Sequence, residues 1–116
     1  MSEDQYISAL MSRWPHEIGA EVTLDTIALA DKAVLAFPTS PRLLVMRGNL
    51  ITLGPEESPY CLDDALACYQ GAIQIDPLFA EAWEEVGFHL HNVRNDELAA
   101  VPYFREAERL KRRFVP

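Results

Sequence analysis

The sequence predicts an all-α fold of six antiparallel helices arranged as three hairpins, and three observations carry that prediction. First, "AEAWEEVGFHL", residues 80 to 90, is helix-patterned yet holds Gly87 at its centre. Glycine there costs about 1 kcal/mol relative to alanine, so its presence asks for a compensating reason such as close packing of a neighbouring backbone. Second, Pro38 and Pro77 each close an apolar helical run, and each is followed ten residues later by a glycine, Gly48 and Gly87. Leu44 and Trp83 stand four residues before those glycines. Third, Thr26, Ala30, Ala33 and Pro38 recur at the same offsets as Ala65, Tyr69, Ala72 and Pro77, and again as Ala100, Phe104 and Ala107. A fixed internal period of this kind is the mark of a repeat architecture.

Taken in order, the elements are helices near residues 3–13, 20–37, 41–54, 60–76, 78–93 and 97–114. The first rests on Tyr6, Ile7, Leu10, Met11 and Trp14, an amphipathic spacing that stops before Pro15. The second is "TIALADKAVLAFP", ended by Pro38, and the third carries Leu44 and Gly48. In "LGPEESPYCLDD" two prolines and Gly54 forbid a continuous helix, so residues 54–62 are expected as an inserted loop at one edge. The fourth helix, "ALACYQGAIQIDP", opens on Asp63 and Asp64, which suit the positive end of a helix dipole. The sixth holds Pro102, which a helix accepts within its first turn or so.

These residues resemble the tetratricopeptide repeat (TPR), a two-helix unit with a large apolar residue, Gly, Ala, an aromatic, Ala and Pro in that order. The resemblance covers residues 23 to 114 and implies a right-handed α-α superhelix, a TPR-like solenoid. It divides residues 1–116 as one domain: a degenerate hairpin 3–37, a hairpin 41–76 containing the loop 54–62, and a hairpin 78–114. The chain departs from the family in its turns, since Gly48 to Ala65 is seventeen residues and Gly87 to Ala100 thirteen. Arg47 stands where the family often has Leu, and the glycine of the first unit would fall at Trp14.

The family binds with its concave side, lined by the first helix of each unit. Carried over, the inward positions are Arg42, Val45, Asn49, Thr52 and Leu53, then Glu81, Glu84, Phe88, His91 and Asn92. Glu84, Phe88 and His91 share one stripe at i, i+4 and i+7 whether or not the resemblance holds. Glu81, Glu84 and Glu85 beside Phe88 make an acidic strip with an aromatic anchor, which suits a basic or amphipathic protein or peptide segment. Family members that clamp a terminal carboxylate use Lys and Arg where this chain has Val45, Glu81 and Glu85, so that ligand is rejected.

Bulk chemistry narrows the remaining classes. The 116 residues carry a formal charge of −8, which disfavours nucleic acid and anionic membranes, both of which need a positive surface. No apolar run approaches a membrane span, and "MSEDQYIS" has acids where a secretory signal has bases, so a cytoplasmic location is expected. Cys61 and Cys68, about 10.5 Å apart along a helix, read as free thiols. His89 and His91 diverge around their helix and cannot share a metal, and Glu85 with His89 reads as a surface pair. No nucleophile, phosphate loop or cofactor fingerprint accompanies them. The expected function is therefore a non-enzymatic interaction module without a cofactor. In "REAERLKRRF", cations at a helix C-terminus complement its dipole. A homodimer through the uncapped end of the stack is the alternative.

Overall fold

The computed structural model describes residues 1–17 and 20–113, and among them it contains six helices and no strand. Helix α1, Glu3–Ser12, opens on a reciprocal cap: the Gln5 N–H donates to Ser2 Oγ at 3.1 Å, and the Ser2 N–H to Gln5 Oε1 at 2.7 Å. Helix α2, Leu24–Ala36, starts four residues later than its sequence pattern suggested, because Thr23 caps it through the Thr26 N–H. Helix α3, Pro41–Thr52, begins with proline in its first position and with Ser40 accepting from the Leu43 N–H. Helix α4, Leu62–Ile75, starts where the Asp64 carboxylate takes the Cys61 N–H at 2.8 Å, a bond that also lowers the Asp64 pKa. Helices α5, Ala80–Asn92, and α6, Glu97–Arg113, are joined by a short turn in which Asn95 adopts a left-handed φ of 53°. Phe114, expected as the last helical residue, lies outside the described residues.

Each helix packs on the next, and α3 also reaches α5, the arrangement of a stack in which first helices line one side. Leu10, Ile27, Leu43, Val45, Leu50, Val86 and Leu110 are its largest fully enclosed side chains. The two helical glycines receive rings. A Cβ on Gly48 would lie 2.5 Å from Tyr69 Cε1, and one on Gly87 would lie 2.8 Å from Phe104 Cε1. Tyr69 and Phe104 occupy the same repeat position, so the small residue on the first helix and the aromatic on the second form a matched pair in both units. In the first hairpin that position is Ala30, fully buried.

Two departures from the family pattern have local explanations. Pro102 is the sixth residue of α6, beyond the first turn. It is tolerated because Pro102 and Leu98 both lie on the exposed side, where solvent can take the carbonyl left without an N–H partner. Arg47 replaces an apolar residue because it anchors the inserted loop. Its Nε donates to Asp31 Oδ1 at 2.7 Å and an Nη to Cys68 Sγ at 3.0 Å, while its guanidinium lies 4.8 Å from the centre of the Tyr60 ring. Tyr60, from the loop, donates its hydroxyl to Asp31 Oδ2 at 2.6 Å. Burial alone would lower the Arg47 pKa, but these acceptors raise it on balance. Cys68 is buried and its thiol pKa is raised by desolvation; Cys61 is exposed, and both are free.

Candidate functional site

Two depressions lie along the side of the stack lined by α1, α3 and α5. The larger, 380 Å³, runs between these three helices. Ile7, Met11, Trp14 and Met46 give it an apolar lining, and Arg42, Asn49 and Glu81 a polar one. Arg42 is held twice, by an ion pair to Glu81 at 2.7 Å and by the Phe79 ring with its centre 5.2 Å away. The smaller depression, 80 Å³, lies between α3, α4 and α5 and is lined by Thr52, Tyr69, Glu85, Phe88, His89, Asn92 and Val93. Tyr69 links the two: its hydroxyl donates to Asn49 Oδ1 at 2.7 Å and lies 3.4 Å from Thr52 Oγ1.

Of the ten residues carried over from the repeat pattern, Arg42, Asn49 and Glu81 meet in the larger groove, and Thr52, Phe88 and Asn92 in the smaller cleft. Four go elsewhere. Val45 is fully buried, because α3 is the central first helix and packs against α2, α4 and α5 at once. Leu53 is exposed past the last turn of α3 and lines neither depression. Glu84 pairs with Lys111 of α6. His91 also turns to α6, its Nε2 lying 3.4 Å from Glu97 and its Nδ1 2.8 Å from Asn92 Oδ1. The acidic strip is thus largely compensated within the chain: Glu81 by Arg42, Glu84 by Lys111.

Glu85 differs from its two neighbours. It has no ion-pair partner among the described residues, and burial, followed by repulsion from Glu81 and Glu84, pushes its pKa up to about 7. His89 is not half of a surface pair, as its spacing suggested. It is 4% exposed, because it continues the inward stripe of Ala82 and Val86, and its Nε2 has no hydrogen-bond partner among the described residues. Desolvation, reinforced by Arg94 and opposed by Asp63, lowers its pKa. Asp96 takes no part in this cleft; it caps α6 by accepting from the Ala99 N–H at 3.0 Å. Sequence reasoning also missed Ile7, Met11, Trp14 and Met46. The first three come from the hairpin whose repeat motif has decayed, although the amphipathic spacing of α1 signalled that this helix has an apolar face.

Phe88 is 45% exposed and meets Phe104 edge to face, with ring centres 5.1 Å apart. It therefore borders the smaller cleft with one face while α6 supports the other side. Among the described residues no three His, Cys, Asp or Glu side chains gather as a metal ion would require. Among the same residues no helix is long and apolar enough to cross a membrane.

No protein-family model and no curated protein matches the sequence. Among solved structures the chain is similar to MamA, with a TM-score of 0.73 at 18% identity. The match covers 97% of this chain and 60% of the MamA chain, so this chain spans about three fifths of that structure. At that identity the likeness is one of fold. Six helices without a strand among the described residues, glycines that receive the ring of the following helix, and this match together make the fold all-α and TPR-like, a helical solenoid.

Proposed function

We propose that this chain is a non-enzymatic interaction module of the tetratricopeptide type, a single domain that binds a protein or peptide segment in the groove between α1, α3 and α5. The observation that carries this reading is the groove itself, 380 Å³ with Ile7, Met11, Trp14 and Met46 along an apolar lining and a fixed Arg42–Glu81 pair at its polar edge. Met11 is 46% exposed there, a flexible thioether of the kind that adapts to apolar anchors. An amphipathic segment would lay apolar side chains against these residues and direct its polar side toward Asn49, Arg42 and Glu81. Basic flanks are favoured by the net charge of −8.

Selection of peptides on the whole chain from a random display library tests this directly. Met11→Glu places a charge in the groove and should weaken the selected peptides by about tenfold or more, as loss of a central apolar contact does. Leu35→Asp, at an exposed position outside the groove, should leave them unchanged. Equal binding by both variants would remove the groove as the site.

A second reading, self-association, is favoured by Leu98, 87% exposed on α6, with Val101 partly exposed one turn away. Its basis is apolar rather than ionic, since Lys111, Arg109 and Arg112 already pair with Glu84, Glu106 and Glu108. Sedimentation that depends on concentration in the unaltered chain, but not in Leu98→Asp, would establish it.

A further inference from the structure

The smaller cleft presents mostly acceptors; the Asn92 amide, whose Oδ1 meets His91, can also donate. Thr52 donates its hydroxyl to the Gly48 carbonyl at 2.9 Å, and Tyr69 donates its own to Asn49, so both present only lone pairs to other groups. Among the described residues Glu85 has no cation beside its carboxylate, and the buried Nε2 of His89 has no hydrogen-bond partner. Phe88 and Val93 supply apolar walls. The volume, 80 Å³, is that of a few water molecules and suits the end of a side chain rather than a whole residue.

We propose that this cleft receives the ammonium group of a lysine side chain from the bound partner, with Glu85 as its counter-ion and Thr52, Tyr69 and His89 as its acceptors. An ammonium carries three donors and no acceptor, which suits the acceptors of Thr52, Tyr69 and Glu85. A guanidinium is a larger planar fork with five donors, whereas a cleft of 80 Å³ suits the compact point charge of an ammonium. The lysine stem would lie along Phe88 and Val93, its methylenes covered while the charge is paired. The inference deepens the groove reading and rests on it: Asn49 lines the groove and accepts from Tyr69, so a segment lying in the groove passes the cleft mouth.

Binding should depend on pH in a stated direction. Glu85 is faced by Glu81 and Glu84 on its own helix and by Tyr69 from α4; Arg42 and Lys111 are occupied with Glu81 and Glu84. His89 is faced by Arg94 and Asp63, and desolvation lowers its pKa; the neutral ring accepts through the nitrogen that carries no proton. An ammonium needs Glu85 ionised, so affinity should fall as pH is lowered through about 7.

The test is a titration of the labelled whole chain, followed by amide and imidazole NMR shifts, with acetyl-Gly-Lys-Gly-amide and with its Nε-acetylated and arginine counterparts. The lysine peptide should give saturable shifts at Thr52, Tyr69, Glu85, Phe88 and His89, weaker by about tenfold near pH 6 than near pH 8. The acetylated peptide should give none, Glu85→Gln should abolish the response and its pH dependence, and Thr52→Val should reduce the affinity severalfold with helicity intact. Equal shifts from all three peptides, the absence of a saturable shift, or unimpaired binding by Glu85→Gln would overturn the proposal. Failure here separates cleanly from failure of the groove. Peptides selected on the whole chain that lose binding with Met11→Glu, yet bind Glu85→Gln as before, would leave the groove standing and remove only the lysine.

Discussion

Replacing Gly48 with alanine sets two opposed effects against each other, and the structure decides between them. Alanine in a helix interior gains about 1 kcal/mol over glycine. The new methyl, however, would sit 2.5, 2.9 and 3.0 Å from three atoms of the Tyr69 ring. Carbon atoms pack at about 3.5 Å or more, so the ring must retreat by about 1 Å. Tyr69 cannot do so freely: it is 2% exposed and its hydroxyl is tied to Asn49 at 2.7 Å. Overpacking costs about 1–3 kcal/mol, and loss of that hydrogen bond about 1 more. The net expectation is a destabilisation of about 2 kcal/mol. Gly87→Ala meets Phe104 at 2.8 Å, but that ring is partly exposed and not hydrogen bonded, so its net loss should be below about 1 kcal/mol. At Gly71 the nearest atom to a new Cβ is 3.8 Å away, an ordinary contact, and alanine should stabilise by about 0.5–1 kcal/mol. Urea denaturation of the three variants should therefore rank them Gly71→Ala, Gly87→Ala, Gly48→Ala in falling stability. A Gly48→Ala chain as stable as Gly71→Ala would refute the ring-against-glycine account of the repeat.

Glu85 and Tyr60 give two further tests. Because the folded-state pKa of Glu85, about 7, lies above its ordinary 4.5, the native chain holds a proton that the unfolded chain releases between those values. Stability contributed by this group is therefore lost as pH rises through that window and is constant above it. With allowance for the partial solvent access of Glu85, Glu85→Gln should recover about 1–2 kcal/mol at pH above 7, and parallel stability curves against pH for the two chains would contradict this. Tyr60→Phe removes the 2.6 Å bond to Asp31 and should cost about 1–2 kcal/mol while raising amide exchange across residues 54–61; unchanged exchange there would show that the loop is held by other contacts.

The repeat was legible because its residues are small or cyclic for geometric reasons. Gly48 and Gly87 must admit a ring, Ala33, Ala72 and Ala107 lie where helices approach, and Pro38 and Pro77 follow the last turns. Helices α2 to α6 follow from that register and α1 from its amphipathic spacing, with the starts of α2 and α4 moved by the caps at Thr23 and Cys61. The site was only half legible. Family register speaks for α3 and α5 but is silent for α1, whose motif is gone, so Met11 and Trp14 could not be carried over. It also assigns inward positions without regard to how many neighbours a helix has, which is why Val45 was expected on the surface. His89 escaped the repeat register because that register assigns only the outer stripe of α5 to the binding side. The complementary stripe through Ala82 and Val86 was equally readable and contains it.

The cluster of Asp31, Arg47, Tyr60 and Cys68 bears on how the molecule comes apart. In a linear stack each repeat is held only by its neighbours, and a repeat with weak intrinsic stability opens first unless its interface is strong. Asp31 belongs to α2, in the hairpin whose motif has decayed, whereas Arg47 and Cys68 belong to the next hairpin and Tyr60 to the insertion within it. The insertion therefore works as a clasp across the joint between the first and second hairpins, coupling the opening of α2 to that of α3 and α4. Native-state hydrogen exchange should find α2 in the same cooperative unit as its neighbour, while α1, packed mainly on α2, opens at lower free energy. A first repeat held in this way can lose its own consensus residues and still keep Met11 and Trp14 at the edge of the groove.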